Sequence, residues 1–561
     1  MKNSNLKQQK MPDFMDVFLI LSIFGAGLVH EFLACAAGIA LCIKLGLQLH
    51  ADKKMHIYIN PGSISVVLIC LGYAFSILTA LDKGLAVLGF FKFLPLLLFL
   101  LVFMQQPKNT DACLRFIPHA AVFMTLVSTV CMQIPVLKEW FSVSGRLAGF
   151  FQYSNTFALF LLIALVIVAT KEAFGKTDIA CVAVLLFGIL YSGSRTVFLL
   201  LLAVLLCILI FGKNKAAKYT LLAISLVGIT VAVIYAAVTD NFSSVARFLS
   251  VSLQESTFVG RLLYYRDALP VILRHPFGMG YLGYYFYQQC VQTGVYTVRY
   301  LHNDFLQLML DIGWIPAIAF LAAAVHAFFK KGTSLRHRIL LAVIAAHAFF
   351  DFDLQFLAVF MLTVLLLDCK SGKEKSVSVK TMTSVGSTVL LCGLFAYFGI
   401  AQGLSYFKQY ELSDKIYPNN TLNHIAMIQN ADDLSDITHL ADRVLQQNAF
   451  VPIAYDAKAK QAYAEGDFAT VITYKRKAIA AAPFLHESYT DYCYMLINGI
   501  QLYEQYGDEQ SAQVCRTELF AVAEQVRTLP QRLSTLGQKI SDQPDTQLPA
   551  DIQNYLAALT E

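Results

Sequence analysis

STFVGRLLYYRDALPVILRHPFGMGYLGYYFYQQCVQTGVYTVRYLHNDFLQLMLDIG, residues 256–313, interrupts a chain that is otherwise a succession of long apolar runs. It carries Arg261, Arg266, Asp267, Arg274, His275, Arg299, His302 and Asp304. The surrounding runs read as membrane helices, each needing about 20 apolar residues. A polar stretch of this length within such a chain is either functional or disordered. Its aromatics and its regular pattern exclude disorder, so the chemistry is expected here.

Composition agrees with a membrane chain. Of the 561 residues, 57% are hydrophobic and 14% are charged, against roughly 25% charged in ordinary soluble domains. A large soluble enzyme is therefore excluded. The first apolar segment has no small-residue cleavage site and is followed at once by a second, so it reads as a retained helix and not a removed signal peptide. Most of the 12 cysteines lie before residue 400, without CxxC or Cys/His spacing, which argues against a metal site or a disulfide framework. They read as small core residues, while Cys493 and Cys515 in the tail are left open to pairing. The net charge of +5 is spread over loops and speaks for topology, not for nucleic acid.

The apolar runs predict helices near 14–30, 32–49, 63–80, 85–104, 115–135, 150–170, 178–193, 196–212, 219–238, 305–329, 337–350, 353–369 and 384–404, about thirteen in all. With the amino terminus in the cytoplasm, the basic residues around 2–10, 53–54, 108–115, 171–176, 213–218, 330–338 and 370–380 fall inside. The other short loops hold only Lys83, Lys138, Arg146 and Arg195. The positive-inside rule selects this orientation, which makes 239–304 and 409–561 extracytoplasmic. The expected fold class is all-α: a polytopic membrane domain over 1–408, a long outer loop over 239–304, and a helical domain over 409–561.

The basic residues that break the positive-inside rule gather on the outer side. Arg146 stands in GRLAGFFQYSNTFA and Arg195 in YSGSRTVFLL. One such arginine would read as snorkelling to headgroups. Several on one side read as fork-shaped donors suited to phosphate or diphosphate. Within the loop, Leu262, Tyr265, Leu269 and Ile272 recur at helical spacing after Gly260 and predict a helix on the membrane surface. HPFGMGYLGYY then predicts turns at Pro276, Gly278, Gly280 and Gly283; without a preceding strand it is no nucleotide fingerprint.

In YLHNDFLQLMLDIGW, Asn303 or Asp304 is placed to cap a helix with Phe305, Leu306, Met309 and Leu310 turned inward. His302, just outside that helix, reads either as an interfacial polar tip or as a general base for a hydroxyl nucleophile. Asp311, inside the apolar run, needs a partner or a wet cavity. Asp351 and Asp353 in AHAFFDFDLQF return to the outer face, as ordinary loop carboxylates or as groups orienting a base or a sugar.

Beyond residue 409 the composition turns polar and reads as short helices separated by Pro, Gly or Asp. Residues 462–484, AYAEGDFATVITYKRKAIAAAPF, match the spacing of a tetratricopeptide repeat at Gly466, Asp467, Phe468, Ala478 and Pro483, and depart from it at Val471 and Lys475. Such stacks bind partners along a concave face.

The motifs around Arg146, Arg195, Arg261, His302 and Asp351, in this order, resemble the O-antigen ligase and polymerase superfamily of bacterial membrane glycosyltransferases, over about residues 140–370. The resemblance implies a GT-C-like fold in the plasma membrane and metal-independent, inverting transfer of a glycan from undecaprenyl diphosphate. It implies no cofactor. It further implies that Arg195 and Arg266 hold the donor diphosphate with Arg261 assisting, that Arg146 lines the outer cavity with Asn303, Asp304, Asp351 and Asp353, and that His302 is catalytic. The implied partners are the lipid-linked donor, a glycan or other acceptor, membrane lipids and a protein on the tail. A transporter of lipid-linked glycan is the rival reading; it predicts charge along a path through the bilayer, whereas the helix interiors read as nearly free of charge. A non-catalytic assembly scaffold is the third reading.

Overall fold

The computed structural model describes residues 12–238 and 256–560. The first 17 positions of the expected outer loop, 239–255, and the lysines before residue 11 lie outside the described residues. The described chain is nearly all helix, with two small antiparallel strand pairs, Lys54–Tyr58 with Glu374–Ser378 and Ser142–Val143 with Arg146–Leu147.

Among the described residues, five helices are long and apolar enough to cross a membrane: Glu31–Asp52, Pro61–Thr79, Lys83–Met104, Thr110–Cys131 and Thr381–Tyr406. Shorter apolar helices run over Phe14–Phe24, Ser154–Ala169, Arg195–Phe211, Trp314–Phe329 and Leu357–Leu366. The chain is therefore an integral membrane protein, although fewer full-length helices form among the described residues than the runs predict, several runs giving shorter helices. Two of the expected runs are broken for a visible reason. The run expected at 305–329 is divided into Asp304–Ile312 and Trp314–Phe329 at Gly313. The run expected at 353–369 opens with a single 3-10 turn and is helical only over Leu357–Leu366.

The most buried helices, Ser154–Ala169 and Leu357–Leu366, form the centre of the bundle. They are apolar all round, the composition of a helix with no solvent face. Around them the starts are chemically marked. Asn60 caps Pro61–Thr79 through Ser63 N at 2.9 Å, and Asp82 caps Lys83–Met104 through Leu85 N at 3.0 Å, each satisfying an orphan donor. Glu31–Asp52 lies against Thr381–Tyr406 so closely that a Cβ on Gly38 would be 2.6 Å from the Phe395 ring, the small-residue contact that membrane helices use.

The turn expected at HPFGMG forms and packs against the end of the Asp304–Ile312 helix. Met279 N donates to Leu310 O at 2.7 Å, Gly280 N to Asp311 O at 3.1 Å, and Trp314 N to Pro276 O at 3.0 Å. Gly313 has φ +87°, and a Cβ there would sit 2.4 Å from Pro276 O. Gly313→Ala is expected to destabilise by at least about 1–3 kcal/mol, from the left-handed backbone alone. Gly386, inside a helix with nothing near its Cβ position, is the control; alanine there should be neutral or stabilising by about 0.5–1 kcal/mol. Thermal melts of the two variants that coincide would refute the assignment.

The surface helix is longer than expected, Ser256–Arg274, so Gly260 lies inside it. Its packed face also differs. Leu262 and Leu269 are exposed, whereas Val259, Leu263, Ala268, Val271 and Ile272 are buried, because the helix packs under protein on two sides.

The tail consists of helix pairs. They are Thr421–Asn430 with Leu434–Gln447, Pro452–Ala464 with Phe468–Ala481, and His486–Gln505 with Glu509–Thr528. Cys493 and Cys515 are both buried and free. The tail is fastened to the membrane domain at Asp82, whose carboxylate accepts from Thr421 Oγ1 at 2.5 Å and Asn448 Nδ2 at 3.3 Å. It also touches the segment between Arg274 and Asn303, where Phe450 meets Tyr287 edge to face at 5.0 Å between ring centroids.

Candidate active site

His302 lies on a short strap, Arg299–Asn303, and each of its residues is held. Arg299 pairs with Glu31 at 3.6 Å. Tyr300 Oη is 3.3 Å from Lys92 Nζ and 2.8 Å from Tyr281 Oη. Leu301 N donates to Gln307 Oε1 at 2.7 Å, and Gln307 Nε2 donates to Asp311 Oδ1 at 2.9 Å. The His302 carbonyl accepts from Tyr265 Oη. Asn303 is the cap, accepting from Phe305 N and Leu306 N at 3.1 and 3.0 Å.

The His302 side chain is 22% exposed, and its Nδ1 lies 3.2 Å from Asp351 Oδ1. Asp351 is buried beneath it. Tyr153 Oη donates to Oδ1 at 2.8 Å; Asn155 Nδ2 donates to Oδ2 at 2.7 Å, and Arg261 reaches Oδ2 at 3.4 Å. Burial alone would raise the Asp351 carboxyl. The His302 hydrogen bond and the positive fields of His302, Arg261 and His347 outweigh it and hold the group well below the usual carboxylate range.

Arg146 joins this network indirectly. Its Nη2 donates to Asn155 Oδ1 at 2.6 Å and its Nε to Ser192 O at 2.8 Å. The second bond ties it to the turn Ser192–Ser194, immediately before Arg195 opens its helix. Residues 146, 261, 302 and 351 thus converge, with Arg195 three residues from the carbonyl that Arg146 holds. Arg266 is exposed five residues beyond Arg261, a spacing that places it on another side of the helix.

The remaining carboxylates are not surface groups. Asp353 is fully buried, accepting from Thr156 Oγ1 at 2.7 Å and paired with His347 Nδ1 at 2.5 Å. Asp304 is buried and accepts from Leu354 N at 2.9 Å. Both brace the segment that carries Asp351. The reading of Asp351 and Asp353 as ordinary loop carboxylates therefore gives way to one of buried anchors. Asp311 finds its partners in Gln307 and Tyr73, the latter at 3.3 Å.

Sequence reasoning passed over Tyr153 and Asn155, although both lie in the GRLAGFFQYSNTFA motif, where polar residues open an apolar helix. It also passed over a buried cluster beside the strap. Lys92, in the middle of an apolar helix, is fully buried, 3.0 Å from Tyr281 Oη and 3.9 Å from Glu31 Oε1. Tyr281 Oη donates to Glu31 Oε1 at 2.5 Å. The expectation that helix interiors are nearly free of charge fails at Lys92.

No curated protein matches the chain. Residues 180–321 match the family model described as O-antigen ligase. The matched segment contains Arg195, Arg261, Arg266 and His302, and it ends before Asp351. Over residues 180–321 the chain is similar to the O-antigen ligase family.

Proposed function

We propose that the protein transfers or polymerises an undecaprenyl-diphosphate-linked oligosaccharide on the outer face of a bacterial plasma membrane, in the assembly of surface polysaccharide. The reading is supported most by the pairing of His302 with Asp351 beside Arg261, Arg146 and the start of the Arg195 helix. Asp351 engages Nδ1 and so favours the tautomer whose Nε2 is free to take a proton. In the proposed step the acceptor hydroxyl oxygen attacks the anomeric carbon, and its proton passes to His302 Nε2. The bond from that carbon to the diphosphate oxygen breaks with inversion, and lipid diphosphate leaves with the electron pair. Fixed guanidinium groups at Arg195 and Arg261 stabilise the charge on the leaving group, a role that requires no metal; Arg266, expected to share it, faces away from Arg261 and has no part in this step.

The test uses purified protein in nanodiscs with lipid-linked glycan extracted from its own cells. Wild-type transfer should persist in EDTA, and His302→Ala should lose about 100-fold or more, the scale of one general base. Full activity of His302→Ala would overturn the base, and loss of wild-type activity in EDTA would overturn metal independence. The outward orientation is checked by protease or thiol labelling of the 409–561 domain from outside intact spheroplasts.

A further inference from the structure

Residues 534–543 of the tail, ahead of its final helix Ala550–Ala558, reach the helix that carries Arg261. Ser534 N donates to Thr293 O at 2.9 Å. Gly537 lies so close to the loop that a Cβ on it would be 2.1 Å from Thr293 O and 3.1 Å from the Gly294 Cα. Ile540, 8% exposed, closes a small apolar cluster with Val259, Leu263 and Tyr296, against which Tyr264, Val298 and Leu536 pack. The segment is stapled on itself by Gln543, whose Nε2 donates to Ile540 O at 2.8 Å and Gly537 O at 3.1 Å.

The loop that receives it is bonded to the arginine helix. Asp267 accepts from Thr293 N at 2.7 Å, Thr293 Oγ1 at 2.7 Å and Tyr296 Oη at 3.0 Å. The Tyr264 ring packs at a tilt against Tyr296, 4.5 Å between centroids, and lies 6.3 Å from the His302 ring. Ile540 and Leu536 therefore press on the side of the helix opposite the one that turns Tyr265 and Arg261 toward His302 and Asp351. Elsewhere the tail meets the neighbouring Tyr287 and Cys290 through Phe450 and Ala481.

We infer that residues 534–543 are a positioning element of the active site: they hold the Ser256–Arg274 helix so that Arg261 stands over Asp351. The inference rests on the proposed donor-binding role of that helix. It assigns the tail a part in transfer by its own chain, beyond the gathering of partners. An apolar contact suits the task because it fixes a helix without adding a charge that would compete with Asp351 or with a diphosphate.

Two variants test it in the full chain in nanodiscs. Ile540→Asp places a carboxylate in the apolar cluster, and Gly537→Val drives a side chain into Thr293 O. Hydrogen exchange within 256–274 should speed up at least tenfold in both, while the tail helices 486–528 keep their protection. The KM for extracted lipid-linked glycan should rise about tenfold, with a smaller change in kcat, and Ile540→Leu should restore both. Unchanged exchange in 256–274 would overturn the contact, and faster exchange with an unchanged donor KM would overturn the positioning role. Faster exchange in a protein whose wild type transfers no glycan would retain the contact and refute the proposed function instead.

Discussion

Transfer by Asp351→Asn is expected to fall by about two to four orders of magnitude, the range attributed to a positioned proton acceptor. The reason is a conflict of donors. Asp351 takes hydrogen bonds from Tyr153 and His302 on Oδ1 and from Asn155 and Arg261 on Oδ2. Asparagine has one acceptor oxygen and one amide nitrogen, so one side of that set must face a donor. With the nitrogen toward His302, the imidazole turns to the tautomer that cannot take a proton at Nε2. With the nitrogen toward Arg261 and Asn155, a guanidinium is left against an N–H group. Steady-state transfer and thermal melts from pH 7 down to pH 3 separate these effects from gross unfolding.

The pH dependence has a definite sign. The native Asp351 carboxyl lies below its ordinary value, about 3.9 in an unfolded chain. Its ionised form therefore contributes stability that is fully present above about pH 4 and is lost as pH falls through the lower native value. Wild type should lose stability in strong acid more steeply than Asp351→Asn, and the two melting curves should run parallel near neutrality. A wild-type acid limb no steeper than that of the variant would refute the buried, ionised state of Asp351. Transfer within threefold of wild type would refute its role toward His302.

Helix positions were legible in the sequence because apolar length and capping chemistry are local. Asn303 is an example: its side chain caps the helix it precedes, as its position before an apolar run requires. Gly313 shows the limit. A long apolar run does not reveal that one glycine will take φ +87° to let the 276–280 turn approach, because the reason lies far back in the chain, at Pro276 and Phe277. The site was legible in its residue types and not in its pairings. His302 and Asp351 are 49 residues apart, and nothing local announces that Asp353 turns inward to His347 while Asp351 turns toward His302. The docking of Ile540 on Leu263 was beyond reach for the same reason, since a buried isoleucine in a polar tail marks some contact without naming it.

Lys92 is the residue that apolar patterning hid most completely, and Lys92→Met is expected to cost about 3–5 kcal/mol, the usual loss when one member of a buried ion pair is removed. Methionine nearly matches the volume and leaves no large cavity, so packing is not the main loss. The loss is electrostatic and polar. Lys92 Nζ lies within 3.3 Å of the hydroxyls of Tyr281 and Tyr300, 3.9 Å from Glu31 Oε1, and 5.0 Å from the Tyr281 ring centroid. Without it, Glu31 retains the Tyr281 hydroxyl and the half-exposed Arg299 guanidinium, which is 3.6 Å away. The double variant Lys92→Met with Glu31→Gln removes the carboxylate that has lost its ammonium partner and should recover part of the stability lost. Because Tyr300 is two residues from His302 and its ring lies 5.5 Å from that of Phe352, which in turn packs 5.1 Å from His302, turnover should fall in the single variant. Recovery of turnover in the double variant should remain incomplete, since the Tyr300 hydroxyl still lacks its ammonium donor. Thermal melts in one detergent, with transfer assayed on the same samples, give both quantities. A single variant that melts within about 1 kcal/mol of wild type, or a double variant no more stable than the single, would show that Lys92 and Glu31 do not act as a buried pair.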